Sequence, residues 1–357
     1  MKASPIPERI YLDHAATSPL RPEAKAAMDE GFRLWANPSS PHAEGRKARA
    51  ALEDARERIK AALGWQGELI FTSGASEAVA IALDRAQAGA RLVSAVEHDA
   101  VLQAAPDAER LPVTGDGAID LDALAEALQR ERPLVAVQQV NSETGNRQDL
   151  ARIAALVRGA GGMLLADCAQ GAGKLALPDC DMAVISAHKF GGPIGIGALL
   201  VRDYALLRPT GGHERGYRRG TENLPGALGM AAALAAAGDT YLAADLMAPL
   251  DQLADEVRAC GGTWLADCLS DPTPYIRAIA MPGMSGTAQV MRFDMAGFAV
   301  SQGSACSSGT MKTSHVLAAM GMADELSARV IRVSPGWNTT SHEVERFCET
   351  WMELARA

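Results

Sequence analysis

Short apolar runs recur between residues 69 and 202, each followed by a polar or glycine-bearing turn. They are Leu69-Ile70-Phe71, RLVSAV from Arg91, PLVAVQQV from Pro133, GMLLADC from Gly162, DMAVISA from Asp181 and GALLVR from Gly197. Stretches with helical spacing separate several of them, such as LDALAEALQR from Leu121 and LARIAALVRGAGG from Leu150. Buried runs of five or six residues alternating with helices predict a mainly parallel sheet covered on both faces, an α/β fold. Upstream, Arg46 to Leu63 reads as an amphipathic helix. Leu52, Ala55, Ile59, Ala62 and Leu63 share one face, and Gly64 stands where a C-terminal cap is wanted. Ser73-Gly74-Ala75-Ser76 turns from the first strand into a helix beginning near Glu77.

After Gly238 the alternation loosens. TYLAADLMAPLDQLADEVRACGG is a long helical pattern, IRAIAMPG and GFAVSQGSAC read as strands, and SHEVERFCETWMELARA closes as a helix with Ser341 as its N-cap. That half reads as a smaller α+β unit. A chain of 357 residues exceeds what one core usually fills.

Net charge is −9 and no Lys/Arg run occurs, so neither a nucleic acid nor an anionic membrane is expected as a partner. Residues 1–18 lack a signal-like apolar core, and no run of eighteen apolar residues occurs. A cytoplasmic location is the expectation. The six cysteines (Cys168, Cys180, Cys260, Cys268, Cys306, Cys348) form no CxxC pair, which argues against a zinc site and a disulfide framework.

Nucleotide motifs fail. Gly171-Ala172-Gly173-Lys174 resembles the end of a P-loop, but Cys168 replaces the leading glycine and Leu175 the Ser/Thr. GGPIGIG lacks dinucleotide spacing. SAHKFGGPIGIG, from Ser186, is more informative. Lys189 follows an apolar run, and Asp167 ends the strand 22 residues upstream. A carboxylate and a lysine at successive strand ends can face one ligand. Pyridoxal phosphate needs that pair: a Schiff-base lysine and an aspartate that keeps the pyridine nitrogen protonated. Gly74-Ala75-Ser76 offers a helix N-terminus for the phosphate. His98 follows a strand and can stack on the ring, and Gln170 can meet the phenolic oxygen. Arg332 offers a fork for a substrate carboxylate. Cys306 sits in SQGSACSSGT, whose plain reading is a Gly/Ser-rich turn with an incidental small residue and whose alternative is a loop thiol that reacts.

Taken together, the motifs resemble those of the pyridoxal-phosphate-dependent cysteine desulfurases of the NifS/IscS class, in the class V aminotransferase family of fold type I. Those motifs are YLDHAATSPLRPEA, NPSSPHAEGRKAR, IFTSGASEA, EHDAV, VNSETG, DCAQ, SAHKFGGPIGIGAL, GGHERGYRRGTEN, GSACSSG and IRVSPG. The resemblance implies a large cofactor-binding domain over residues 14–238 with a mainly parallel seven-stranded sheet. Residues 1–13 and 239–357 would form a smaller α+β domain carrying the cysteine loop. It implies that Lys189 holds the cofactor and moves the substrate proton. Gly74, Ala75, Ser76, Ser186 and His188 would bind the phosphate, and His98 would stack. Asp167 would pair with the pyridine nitrogen and Gln170 with the phenolic oxygen. Asn141 would lie near cofactor and substrate carboxylate, and Arg332 would bind that carboxylate. Thr221 would reach the phosphate of a partner subunit, which implies a homodimer. Cys306 would take sulfur from L-cysteine, leaving L-alanine, and pass its persulfide to an acceptor in iron–sulfur cluster assembly or tRNA thiolation, with a scaffold protein as one such acceptor. The resemblance implies no resident metal, with Cys306 a candidate transient ligand of an iron–sulfur cluster.

Departures from the family pattern are Ala187, Ser142 and Ile194, where glycine, asparagine and lysine are common. A selenocysteine lyase or another class V aminotransferase or lyase would share fold and cofactor. GSACSSG argues against the aminotransferase. An inert homologue would have no use for Lys189, Asp167, His98 and Cys306 together.

Overall fold

The computed structural model describes residues 9–238, 241–242, 244–302 and 314–356. Its twelve strands are β1 (Ile10–Tyr11), β2 (Glu68–Thr72), β3 (Ala90–Ser94), β4 (Glu109–Leu111), β5 (Pro133–Gln138), β6 (Met163–Asp167), β7 (Met182–Ser186), β8 (Gly197–Val201), β9 (Thr263–Trp264), β10 (Arg277–Ala280), β11 (Phe298–Ala299) and β12 (Val330–Val333). Seven form one sheet in the order β2-β8-β7-β6-β5-β3-β4. Strands β7, β6, β5, β3 and β4 run parallel, and β8 runs against both its neighbours, β7 and β2. The expected mainly parallel seven-stranded sheet is therefore present. The edge strand β4 has no counterpart in the sequence reading, because ERL is too short and too polar to stand out.

Strands β5 and β7 are buried along their whole length. That is the state of a central parallel strand with helices on both faces. One cluster, including Leu52, Ile59, Val135, Val137, Ile185 and Phe190, covers one face. Another, including Val79, Leu83, Val93, Leu134 and Leu199, covers the other. The helix Ala43–Leu63 buries Leu52, Ala55 and Ile59 as its spacing predicts, but Ala62 is exposed. Gly64 takes the left-handed conformation (φ 66°), and its N–H closes onto Ala61 O and Lys60 O. The helix Leu224–Ala235 is apolar almost all round and is buried accordingly.

The C-terminal half builds a three-stranded antiparallel sheet, β12-β10-β9, and β11 pairs with β1 from the N-terminus. Their core gathers Phe293, Phe298, Ile331, Phe347 and Trp351. The last helix, Ser341–Arg356, is capped one residue earlier than expected. Thr340 Oγ1 accepts from Glu343 N at 3.3 Å, and Glu343 Oε2 accepts from Thr340 N at 2.7 Å, a reciprocal capping box. Among the described residues no helix is long and apolar enough to cross a membrane.

Candidate active site

The carboxyl ends of β2, β3, β5, β6 and β7 point to one side of the sheet, where the loops that follow them converge. A cavity of about 380 Å³ opens there. Its lining includes Gly74, Ala75, Ser76, His98, Asp167, Gln170, Ser186, His188 and Lys189. Residues up to 115 positions apart in sequence thus share one wall, because parallel strands bring every loop of that end together.

Strand β2 leads into the helix Ala75–Arg85, whose N-cap is Gly74. No side chain caps it, so its first-turn N–H groups remain available at the cavity. The turn fits under β8 because position 197 is glycine. A Cβ there would lie 2.7 Å from Gly74 Cα. Glu77, in the same first turn, accepts from Ser73 N and meets Arg218 Nε at 3.4 Å. Burial would raise its carboxyl, but those donors outweigh burial and hold it low.

His98 lies on the cavity and also caps a helix. Its Nδ1 accepts from Ala100 N at 3.1 Å. This bond turns the ring and leaves Nε2 as the protonated nitrogen of the neutral form. Asp167 ends β6, and its Oδ1 accepts from Ala169 N at 2.9 Å. Burial raises its carboxyl, with Ala169 N–H, His98 and Lys189 pulling the other way. Behind it Glu97 is wholly buried. Its Oε1 accepts from Gln138 N at 2.7 Å, and among the described residues its Oε2 has no partner. Burial, then the neighbouring Asp167, pushes the Glu97 carboxyl well above the usual carboxylate range.

The N-terminal segment forms the opposite wall. Lys189 Nζ donates to Ala15 O at 2.7 Å and Ala16 O at 2.9 Å, and Gln170 Nε2 donates to Ala15 O at 2.8 Å. Gln170 Oε1 is buried with no partner among the described residues. His188 Nδ1 lies 3.1 Å from Thr17 Oγ1. Burial, then Lys189 and Lys174, lower His188 to about 4, so it is neutral at working pH. Ala15 and Ala16 act only through backbone carbonyls, which carry no residue-type signal. The sequence quoted that segment as a motif without assigning it a contact.

Three expected site residues stand elsewhere. Asn141 is buried, and its amide joins its own turn to the loop after β3: Oδ1 accepts from Glu143 N and Thr144 N at 2.9 Å, and Nδ2 donates to Val96 O at 3.1 Å. Its neighbour Ser142 lines the cavity. Arg332 is 3% exposed, with Nη2 on Asp13 Oδ1 at 2.8 Å and Nη1 on Ser142 O at 2.7 Å. Among the described residues its Nε has no partner. Thr221 is exposed on the loop before the helix Leu224–Ala235 and does not line the cavity of its own chain. Arg218 on that loop nevertheless ties it to Glu77. Cys306 lies outside the described residues. Among the described residues no group of His, Cys, Asp or Glu side chains could hold a metal.

The class-V aminotransferase family model matches residues 10–347. A cysteine desulfurase from Cereibacter sphaeroides is 38% identical, over 96% of this chain and 94% of that protein. A cysteine desulfurase from Rhodobacter capsulatus is 37% identical, over 94% of each. Among solved structures, a NifS-like protein superimposes with a TM-score of 0.88 at 26% identity, over 98% of this chain and 99% of the other. The NifS-like protein of Rickettsia africae gives 0.87 at 28% identity, over 98% and 100%. The sequence relatives and the fold agree, and the chain belongs to the class-V aminotransferase family, among its cysteine desulfurases.

Proposed function

We propose that this protein is a pyridoxal-phosphate-dependent cysteine desulfurase that removes sulfur from L-cysteine and leaves L-alanine. The observation that carries the reading is the meeting of Lys189, Asp167, Gln170, His98 and an uncapped helix N-terminus around one cavity. The chemistry of these donors fits the cofactor. The raised Asp167 carboxyl would gain from a pyridinium N–H, and Gln170 retains hydrogen-bonding capacity at its buried, unpartnered Oε1 and on Nε2. The phosphate would be held by the N–H groups at Ala75 and Ser76, with Ser186 and His188 beside them. His98 would cover the ring.

When bound, pyridoxal phosphate supplies a conjugated ring that accepts the electron pair left at the substrate Cα. Lys189 would hold the cofactor covalently, then take and return the proton at Cα. Asp167 would keep the pyridine nitrogen protonated. Arg332 would bind the substrate carboxylate, with Asp13 and Ser142 O fixing its fork and Asn141 supporting the turn beneath. The Cys306 thiolate would attack the substrate sulfur. The Cβ–Sγ bond breaks, its electron pair stays with Cβ, and a proton completes the methyl group of alanine. Cys306 is left as a persulfide for an acceptor in iron–sulfur cluster assembly or tRNA thiolation. Thr221 would act across a homodimer.

The test is alanine and sulfide release from L-cysteine with a thiol reductant. Equal amounts are expected, and Cys306→Ala is expected to keep the bound cofactor and lose both products. Normal release from the variant would remove Cys306 from the reaction.

A further inference from the structure

Two consecutive residues, Ser314 and His315, are fastened beside the rim of the cavity. Ser314 Oγ donates to Glu143 Oε2 at 2.6 Å, the length of a hydroxyl–carboxylate hydrogen bond. The same hydroxyl accepts from Leu317 N at 3.1 Å and so caps the helix His315–Ala319. His315 Nε2 lies 2.9 Å from Glu97 O, and because a carbonyl only accepts, this nitrogen carries the proton. Each acceptor is the chain neighbour of a residue that lines the cavity: Glu143 follows Ser142, and Glu97 precedes His98. Ser314 and Glu143 are 8% and 9% exposed, so water competes little for their bond. Val316 and Leu317 pack into one apolar cluster with Val96.

The upstream fastening is at Ser301. Arg332 N donates to Ser301 O at 2.6 Å, and Ser301 N to Arg332 O at 3.2 Å. Arg332 in turn reaches Ser142 O through Nη1 at 2.7 Å. Ser301 and Ser314 are thus both tied to the turn that carries Ser142, one through Arg332 and the other through Glu143. Cys306 falls between them in the sequence. Bringing a residue of a chain segment to one place costs entropy that grows with the length left free, and ends already held lower that cost. Neither Glu143 nor His315 lines the cavity, so neither is placed to touch a molecule bound in it.

We propose that Glu143 and His315 are positioning residues for the sulfur-transfer step: through Ser314 and Glu97 O they hold the downstream end of the segment that carries Cys306 to the rim of the site. The inference rests on the desulfurase reading, in which Cys306 takes the sulfur. That reading has two separable parts. Exchange of the Cα proton needs the cofactor and Lys189, whereas sulfur release needs Cys306 as well. Loss of either contact strikes the second part and spares the first.

The experiment compares two rates on the holoenzyme for the natural protein, Glu143→Leu, Glu143→Gln and His315→Leu. One is replacement of the Cα hydrogen of L-alanine by deuterium in heavy water. The other is sulfide release from L-cysteine with a thiol reductant. Both leucine variants are expected to lose about tenfold or more in kcat for sulfide release, and to keep deuterium exchange within about twofold. Glu143→Gln keeps an oxygen that accepts from Ser314, and is expected to stay within about threefold of the natural protein in both rates. Should a leucine variant fail to fold, Ser314→Ala, which loses the bond to Glu143, is read in the same way. Equal losses in the two rates would make these contacts general supports of the cavity and overturn the proposal, as would unchanged sulfide release. If the natural protein exchanges deuterium into L-alanine but releases no sulfide, the desulfurase reading fails and the proposal falls with it. Failure of the proposal alone leaves sulfide release by the natural protein in place.

Discussion

His14 shows how one residue can couple the site to stability. It is 1% exposed, its Nδ1 lies 3.1 Å from Ser18 Oγ, and its ring fills the space over Gly336. A Cβ at position 336 would lie 1.8 Å from His14 Nδ1, which is why glycine follows Ser334-Pro335. Burial first, then Lys174 and Arg21, lower the imidazole to about 3. The folded form stays neutral where the unfolded chain, near 6.5, takes up a proton. Between about 6.5 and about 3 the unfolded state binds more protons, so stability falls as pH falls through that window. For the apo protein we expect His14 to account for about 2–4 kcal/mol of acid destabilisation. Denaturant midpoints at pH 7 and pH 5 should therefore diverge less in His14→Gln than in the natural protein. Equal pH dependence would show that His14 is not the titrating group.

At the scale of elements, the loop from Arg208 to Asn223 is fixed by one buried ion pair. The Arg56 and Glu214 side chains are 4% and 1% exposed, and meet at 2.8 Å and 3.0 Å. Glu214 Oε2 also accepts from Phe71 N at 2.8 Å, which binds the loop to β2 just before the Ser73–Ser76 turn. Glu214 and Arg215 both have positive φ, at 47° and 56°, a conformation that residues with side chains adopt at a cost. Removing Glu214 leaves the buried Arg56 with only the more exposed Glu53, 3.2 Å from its Nε, to offset its charge. Glu214→Ala is expected to lower stability by about 3–5 kcal/mol, and Glu214→Gln by less, measured by chemical denaturation. A loss below about 1 kcal/mol in Glu214→Ala would mean that water replaces the pair.

At the scale of the whole molecule, Thr221 raises the question of the second subunit. It is exposed and outside its own cavity, on a loop that Arg218 ties to the phosphate end. If it completes a partner's site, two defective chains should complement each other. Mixing Lys189→Ala with Thr221→Ala and allowing subunit exchange is expected to form sites with Lys189 from one chain and Thr221 from the other. Desulfurase activity of the mixture should exceed that of Thr221→Ala alone by about twofold or more, since mixed dimers carry one complete site. No gain on mixing would place Thr221 in its own chain's function or in none.

The apolar runs and their spacing determined the α/β class and the principal parallel strands, because burial on both faces demands continuous apolar residues. They left β1, β4, β9, β12 and the true cap of the last helix unread: two to four residues make no period, and Thr340 and Ser341 are both good caps. Lys189, Asp167, His98 and Gln170 were legible as candidates because their chemistry is specific to residue type. Their convergence was decided only by the tertiary structure, through strand order and the closeness of the carboxyl ends. It also decided what no residue letter encodes. The carbonyls of Ala15 and Ala16 receive Lys189, Asn141 turns inward, and Arg332 is engaged by Asp13. Lys174, read in sequence as the remnant of a failed P-loop, stands on two tyrosines brought from positions 241 and 275. Desolvation and charge depend on distance in space, and chain order does not fix that distance.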